Sequence, residues 1–423
     1  IYSDALQQNT TSEDYRAQLQ ELVRLGILPA DTDINRITFD GNLTVNPALP
    51  GYLQGPTAGQ LNDEQLREGI FSNERRILNP NGYDNPYTHQ FALGYQLQLN
   101  EKSLFYIDLV HNQSYNLFRL RNLNAAAPFP LSPANIRVRT QMEADASRPI
   151  PIVNGSAEID GTTLAGVARN IVVSESEGQS RYYAASLNFQ KDRGKDDYAL
   201  RFNYTLSYLE NNTEDINFRA MDANDFVAEW GPSINDRRHI LNGIFTYYPA
   251  KNLSVTLAAL IQSGQPINRT PLPVAYTVLD ADGKPIQQPL LGPDGQPAFD
   301  ADGNPILIDV KATTTDLNGD GSTFGDNYVG NSDRYPGEGR NNDRLPWSNT
   351  FDLGIQYEFP IGRSGLELRA DIFNIFNTQN LSGYSNNATQ SNQIQPGPKS
   401  SGLLVRRNAS APRQFQFSLR YRF

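Results

Sequence analysis

Alternation of apolar and polar residues in the last segment of the chain constrains the fold more than any other sequence feature. Phe415, Phe417, Leu419, Tyr421 and Phe423 occupy every second position, and the residues between them are polar or charged. Successive side chains of a β-strand point to opposite faces, so this period predicts a strand with one apolar and one wet face. A strand of a soluble sandwich can alternate in the same way, but it would rarely leave an aromatic residue exposed at the chain end.

The same period recurs along the chain and predicts roughly ten strands. The alternating segments lie at 91–99, 104–112, 116–123, 181–190, 198–208, 238–248, 253–261, 351–359, 366–371 and 415–423. The longest apolar run, Val255–Ile261, is far shorter than the about 20 residues of a membrane-spanning helix, which excludes helical spanning. A transmembrane β-strand needs only about 9–11 residues, of which alternate ones are polar, so the mean hydropathy of -0.53 is compatible with a membrane barrel.

The predicted connections are short at one end of the strands and long at the other. Short turns are predicted at 100–102, 192–195, 249–252 and 360–363, and long polar segments near 124–180, 210–236, 264–346 and 377–412. Soluble domains seldom contain loops of such length. Together with 21 Tyr and 20 Phe, this plan is typical of outer-membrane barrels with aromatic girdles. The fold class predicted is an all-β, transmembrane antiparallel β-barrel in the bacterial outer membrane, with long extracellular loops that contain short helices.

Composition argues against several other classes of protein. The chain has no cysteine, which removes disulfide scaffolds, Cys-ligated zinc and thiol catalysis. A net charge of -10 argues against nucleic-acid binding. His89, His111 and His239 lie near predicted strands without partners at the spacing of a metal site or triad, and no phosphate-binding glycine motif occurs. We therefore predict no enzymatic activity and no catalytic or cofactor-binding residues.

Residues 1–86 differ from the rest, 87–423, which contains the carboxy-terminal barrel strands and loops. A short amphipathic helix is predicted from Ser12 to Leu28, with Ser12 as its cap and Gly26 near its end, and another at 62–70. We interpret 1–86 as a long extracellular loop region with short helices and at most one strand; a small soluble domain is the alternative. Ile1–Asp4 does not resemble a signal peptide, so either a signal has been removed or the chain starts inside a longer protein.

Four segments in order resemble the TonB-dependent receptor family, in particular its Oar-like branch. Asp371–Asn377 is similar to the penultimate strand of the family, and Ala411–Phe423 to its closing strand. Asp236–Gly243, followed by Ser263–Pro266, resembles an internal hairpin, and Asn85–Gln90 resembles a loop-to-strand entry. The resemblance covers about residues 80–423.

The resemblance implies a larger barrel than this chain provides. The family has a 22-stranded barrel filled by an amino-terminal plug, which carries the box that meets TonB. No plug, no box and only about ten strands are recognised here, so we expect the carboxy-terminal part of such a barrel; a complete small barrel is the alternative. In outer-membrane proteins a terminal aromatic resembles the signal read by the barrel-assembly machinery, a role that Leu419, Tyr421 and Phe423 would carry beyond facing lipid.

Active uptake, driven by TonB and the inner-membrane proton gradient, is the function that the resemblance implies. We expect loops 124–180 and 264–346 to contact the substrate. The implied partners are membrane lipid and lipopolysaccharide, TonB through the missing amino-terminal part, the assembly machinery and an unknown substrate. A passive porin and a structural or adhesive barrel in a larger complex remain alternatives, and uptake against export stays open because Oar-like members are also linked to export or surface processes.

One loop segment resembles the start of a calcium-binding loop. Asp316, Asn318 and Asp320 alternate before Gly321, which is the spacing of oxygen ligands around a turn-forming glycine. In a complete calcium-binding loop the twelfth residue is Glu. Here the twelfth residue, counted from Asp316, is Asn327, which follows Asp326. Calcium is thus the one cofactor that the sequence suggests. The alternative interpretation of this segment is a polar turn that binds no metal. The related segments 280–283, 294–295 and 300–303 are predicted to be tight turns without metal.

Overall fold

The structure is a computed structural model in which nine long strands form one sheet. It describes residues 12–34, 74–77, 79, 82–165, 167–214, 218–269, 271–280, 282–293, 295–321, 333–361, 364–380, 383–385, 393–394, 405–407 and 411–423. We number the strands of this main sheet β1 (Tyr87–Asn100), β2 (Ser103–Asn122), β3 (Asn170–Lys191), β4 (Tyr198–Asn211), β5 (His239–Ala250), β6 (Leu253–Gln262), β7 (Ser348–Ile361), β8 (Ser364–Phe373) and β9 (Gln414–Arg422).

Each of these strands pairs antiparallel with the strand that follows it in the chain, so the sheet is an up-and-down meander. The register aligns the apolar positions of neighbouring strands: Leu93 lies opposite Leu109, Leu109 opposite Ala185, and Ala185 opposite Leu206. Because side chains alternate with period two, this alignment puts the apolar residues of the predicted alternating pattern on one face of the sheet in all nine strands. The alternation predicted from the sequence is therefore confirmed as a continuous apolar face.

The opposite face of the sheet is polar and internally hydrogen-bonded. Thr246 and Thr256 bond through their hydroxyl groups at 3.1 Å across β5 and β6. The Nδ2 group of Asn203 donates to Oδ1 of Asn188 at 2.6 Å across β4 and β3. Hydroxyl and amide pairs of this kind need a wet or internally satisfied environment, which is the environment that the lumen of a barrel provides.

The two ends of the sheet differ, as the sequence predicts. Four connections of two to six residues join the strands at one end, namely 101–102, 192–197, 251–252 and 362–363, whereas 123–169, 212–238, 263–347 and 374–413 join them at the other. Within their described residues the long connections contain helix α2 (Gln141–Ala146), and helix α1 (Ser12–Arg24) of the amino-terminal region packs against them. They also contain the short strands Ser156–Ile159, Thr162–Ala165, Gly231–Pro232, Pro266–Arg269, Val274–Thr277, Gln287–Pro289, Leu307–Asp309, Lys311–Thr314, Asp343–Arg344, Gly383–Ser385, Gln393–Ile394 and Val405–Arg407.

Strands β2 and β3 are longer than the sequence pattern predicts. The predicted segments 104–112 and 116–123 are one strand, which bends where the register shifts between Ser114 and Leu117 and where Asn116 adopts a φ of 57°. The predicted loop 124–180 likewise ends at 169, because β3 begins at Asn170. The main sheet therefore has nine long strands among the described residues rather than about ten, and β2 and β3 exceed the about 9–11 residues that cross a bilayer.

The amino-terminal region contributes helix α1 and the strand Glu74–Ile77, which pairs in parallel with the start of β3. Helix α1 ends just before Gly26, whose φ of 71° terminates it as predicted. The second predicted helix, at 62–70, lies outside the described residues. Among the residues that the structure describes, no helix has the length and apolarity needed to cross a membrane.

Both edge strands of the main sheet pair on one side only within the described part of the chain. In an antiparallel meander of nine strands the first and last strands run in the same direction. Direct pairing of β1 with β9 would thus be parallel, whereas barrels of this type close with an even number of antiparallel strands. An all-antiparallel closure needs an odd number of further strands.

Substitution of arginine at Leu257 tests the assignment of the two faces. Leu257 lies on the apolar face in the middle of β6, and its neighbour Thr256 lies on the polar face. We expect Leu257→Arg to destabilise the membrane-inserted protein by about 2–4 kcal/mol, the cost of a cation facing lipid near the bilayer midplane. The matched change Thr256→Arg should cost less, because its side chain meets water. Unfolding free energies in lipid vesicles give the comparison, and equal losses would contradict the assignment.

Candidate functional site

The long connections form a folded assembly at one end of the sheet rather than separate loops. Its apolar core contains Leu19 and Leu22 of helix α1, both fully buried, together with Ile150 and Ile171 from the β2–β3 connection and the start of β3. Gln18 is also buried and bonds twice to Ala168, donating to its carbonyl at 2.9 Å and accepting from its N–H at 3.0 Å. The amphipathic stripe predicted from the sequence therefore serves to dock the amino-terminal helix onto the loops.

Buried ion pairs connect two of the long loops, 212–238 and 263–347. Arg334 donates to both carboxylate oxygens of Glu229, at 2.6 and 2.9 Å, and both side chains are almost inaccessible to solvent. Arg340, also fully buried, pairs with Glu214 and donates to the backbone carbonyl of Glu229 at 2.8 Å. A bidentate guanidinium–carboxylate pair fixes orientation as well as distance. The two loops are thus held in one arrangement.

The calcium-like segment lies beside these ion pairs, and its carboxylates turn inward toward its own backbone. The N–H groups of Gly319 and Gly321 donate to the carboxylate of Asp316 at 2.8 and 3.2 Å. Oδ1 of Asn318 accepts from the N–H of Asp320 at 2.8 Å. The buried carboxylate of Asp333 accepts from the N–H groups of Leu317 and Asn318.

Burial and mutual repulsion disturb the protonation of this acidic segment. Burial, reinforced by the charge of Asp320, raises the pKa of Asp316 to about 6. Burial, with the charges of Asp320 and Asp316, raises the pKa of Asp333 well above its ordinary range. Asp300 forms a comparable turn in an exposed hairpin, where the N–H of Asn304 and other backbone donors lower its pKa. Related acidic turns thus shift the pKa of their first aspartate in opposite directions, because one is buried beside a second carboxylate and the other is exposed.

These carboxylates do not complete a recognisable metal site. Among the residues that the structure describes, no group of three or more His, Asp or Glu side chains is arranged to hold a metal ion. Arg139 also lies close, since its Nε donates to the carbonyl of Asn318 at 2.5 Å. The predicted closing positions, Asp326 and Asn327, fall outside the described residues.

A small cavity of about 140 Å³ opens between the three loops beside this segment. Its walls include the aromatic rings of Phe129 and Tyr335 and the carboxylates of Asp222, Asp320 and Asp333. Of the two arginines in the wall, Arg334 is already paired with Glu229, and Arg139 donates to backbone carbonyls. The cavity therefore has an acidic character and suits a small basic group.

The terminal residues singled out in the sequence lie on the apolar face of β9. Leu419, Tyr421 and Phe423 are exposed by 67%, 55% and 103% of their surface. They lie at the short-turn end of the sheet, opposite the loop assembly, since Tyr421 pairs with Leu366 at the start of β8. The arginine–glutamate pairs of the loops were not predicted, because nothing in the local sequence distinguishes Glu229 or Arg334 from other polar loop residues.

Comparison with known proteins identifies a domain family and a set of similar barrels. The model of the outer membrane beta barrel domain matches residues 30–416. No curated protein sequence is significantly similar to this chain.

Several solved structures resemble the chain at very low sequence identity. The outer membrane transporter YddB from Escherichia coli matches at 10% identity and a TM-score of 0.39, over 83% of this chain and 34% of that one. The ferric enterobactin receptor PfeA from Pseudomonas aeruginosa, in a mutant form, matches at 11% identity and a TM-score of 0.38, over 82% and 32%. BauA, the ferric preacinetobactin receptor from Acinetobacter baumannii, matches at 11% and 0.36, over 79% and 29%. The chain spans about a third of the length of these proteins.

Removal of one buried charge should loosen the loop assembly without disturbing the sheet. In Arg334→Met the carboxylate of Glu229 stays buried without its partner, a loss of about 3–5 kcal/mol. We expect faster amide hydrogen exchange in 218–232 and unchanged exchange in β4 and β5. Arg193→Met is the control, because its pair with Asp197 is 3.3 Å long and solvent-exposed and should contribute less than about 1 kcal/mol. Unchanged loop exchange in Arg334→Met would show that the pair does not hold the loops together.

Proposed function

Because the chain belongs to the outer membrane beta barrel domain family, we propose that it forms the carboxy-terminal part of the wall of a TonB-dependent transporter, of the Oar-like branch. Residues 87–423 would supply strands and loops of the wall, and 1–86 an extracellular region. The amino-terminal plug and the remaining strands would come from a part of the protein outside this chain. Outer-membrane localisation follows from the family itself.

The observation that carries this proposal is a sheet that cannot close alone, together with a rigid loop assembly at its long-loop end. The nine described strands need an odd number of additional strands for antiparallel closure, and a 22-stranded wall, the size of plugged outer-membrane transporters, meets this requirement. A small complete barrel of nine antiparallel strands does not. The nine described strands are thus compatible with antiparallel closure as part of a 22-stranded wall, but they do not make a complete wall by themselves.

The loop assembly favours substrate capture over passive diffusion. Arg334–Glu229 and Arg340–Glu214 hold the loops 212–238 and 263–347 in a fixed arrangement around an acidic cavity. A fixed surface loses less conformational entropy on binding than mobile loops do. Since the cavity of about 140 Å³ is small, it would hold only one basic group of a larger substrate. The proposed direction of transport is uptake, with TonB as the partner on the periplasmic side. Leu419, Tyr421 and Phe423 are proposed as the signal that the barrel-assembly machinery recognises.

Ion conductance distinguishes a plugged transporter from a porin without knowledge of the substrate. We expect the intact full-length protein, inserted in a planar bilayer, to remain electrically closed, because a plug would fill its lumen. A version that retains every wall strand but lacks the plug should conduct steadily. Stable conductance by the intact protein would favour the porin alternative. Closure without any binding to the purified periplasmic domain of TonB would favour a structural or adhesive barrel.

Calcium binding by Asp316, Asn318 and Asp320 is proposed as a second property of the loops. Burial and the charge of Asp320 raise the pKa of Asp316 to about 6 against the ordinary 3.8, which supports the proposal, because a bound cation would favour the ionised carboxylate. Oxygen donors at alternate positions are the ligands that calcium prefers. Arg139, which already lies close, opposes it.

The pH dependence of loop stability tests this second proposal. A carboxyl group whose pKa is raised in the folded state binds a proton that the unfolded state releases, so stability falls as pH rises through the folded pKa. In the presence of a chelator, we expect loop protection to decrease between about pH 4 and pH 6, from the unfolded pKa of Asp316 to its folded pKa. Calcium should remove this decrease in the parent protein and have no effect on Asp316→Asn, while Asp300→Asn, on the exposed hairpin, should behave like the parent. Identical pH profiles with and without calcium would refute calcium binding here.

A further inference from the structure

A groove of about 610 Å³ crosses the apolar face of strands β1 to β4. Ala185 lies near its centre, between the larger side chains of Leu109 and Leu206 in the aligned rows of β2 and β4. Phe91 and Tyr183 lie in the next row toward the long-loop end and also line the groove. A small residue between larger ones thus leaves a depression at this point of the apolar face.

The position of the groove along the strands assigns it to one leaflet. His111, which lines it, lies eight residues beyond Ser103, the first residue of β2 at the short-turn end. At about 3.3 Å per residue and a tilt of about 40°, this places the row of His111 about 20 Å above that end. The apolar band of an outer-membrane barrel is about 25 Å tall, with the long loops outside the cell. The groove therefore faces the outer leaflet.

Two arginines lie at the long-loop end of the groove. Arg238 lines it, with its guanidinium 4.4 Å from the ring of Tyr208, and Arg181 lies 4.8 Å from the ring of Trp230. The Nε group of each arginine is inaccessible to water and has no hydrogen-bond partner among the described residues. The side chains of Arg181 and Arg238 as a whole are 40% and 35% exposed, so an additional acceptor can reach their outer N–H groups.

The carboxylates near these arginines do not cancel their charge. Asp236 pairs with Arg238 at 3.2 Å and also with Arg344, whereas Glu210 lies 3.6 Å from Arg181 and accepts hydrogen bonds from Tyr208 and Trp230. Three guanidinium groups thus face two carboxylates. The upper end of the groove retains a positive charge, directly above an apolar depression.

We propose that this groove is a specific binding site for lipopolysaccharide. An acyl chain of its lipid A part would lie in the depression over Ala185, and a lipid A phosphate would accept hydrogen bonds from Arg238 and Arg181. The groove is part of the lipid-facing surface, so its occupant is a lipid of the outer leaflet, and the charge at its upper end selects a phosphorylated one. This inference depends on the outer-membrane location and not on transport.

Competitive binding to the full-length protein in nanodiscs tests the site. Native mass spectrometry would compare retention of diphosphorylated lipid A with that of its dephosphorylated form and of phosphatidylglycerol. We expect the parent protein to retain diphosphorylated lipid A at least about tenfold more tightly than either competitor, since charge-assisted hydrogen bonds to phosphate have roughly this effect. Equal retention of the dephosphorylated form, or of phosphatidylglycerol, would overturn the proposal.

Two variants and one control separate the acyl and phosphate contacts from general effects. Ala185→Trp should fill the depression, and Arg238→Gln should remove the phosphate donor, so each should reduce retention of diphosphorylated lipid A by about tenfold. Ala370→Trp adds the same bulk on the apolar face of β8, about 24 Å away across five strand spacings, and should leave retention unchanged. If Ala185→Trp fails to insert, Arg238→Gln alone decides. Equal retention in Arg238→Gln and the parent would overturn the site. Conductance measurements do not depend on this result, so its failure would leave the proposed transport function unaffected.

Discussion

The membrane wall of this protein depends on one constraint, the need to pair backbone N–H and C=O groups away from water. In a lipid bilayer an unpaired backbone group costs several kcal/mol, so strands can cross only as members of a closed sheet. The meander β1 to β9 satisfies this need between neighbours, and its aligned register keeps the apolar side chains on the face that meets lipid. The same constraint requires a further pairing partner for each of the two edges that pair on one side only within the described part of the chain.

A different source of stability holds the loop assembly. The wall has exposed apolar side chains such as Phe417, at 78% exposure, and little internal core. The assembly has the opposite arrangement, with a compact apolar cluster around Leu19 and Leu22 and with buried arginines. Since buried pairs are costly to desolvate, their contribution is to fix one arrangement of the loops more than to add stability. The outer end of the molecule thus resembles a soluble domain built on a membrane wall.

The sequence predicts the wall well because a strand with two environments leaves a period of two wherever it occurs. The pattern failed at Asn116, where a bulge interrupts the alternation within a continuous strand, and at 170–180, where β3 is largely buried by the loops and loses its regular polar side. The loop contacts could not be predicted, because Glu229 and Arg334 are 105 residues apart. The local sequence does not separate the acidic turns at Asp316 and Asp300, whose pKa values shift in opposite directions because Asp316 is buried beside the charge of Asp320 and Asp300 is exposed.

The buried pairs between loops 212–238 and 263–347 also have an evolutionary consequence. Each loop supplies one charge of every pair: Glu214 and Glu229 come from the first, Arg334 and Arg340 from the second. A recombination event that replaced only one of the two loops would leave the buried charges of the other loop without their ion-pair partners. New surface specificities should therefore be inherited as exchanged pairs of loops, or arise at the exposed hairpins of 274–314, which hydrogen-bond mainly among themselves and can diverge without such a penalty.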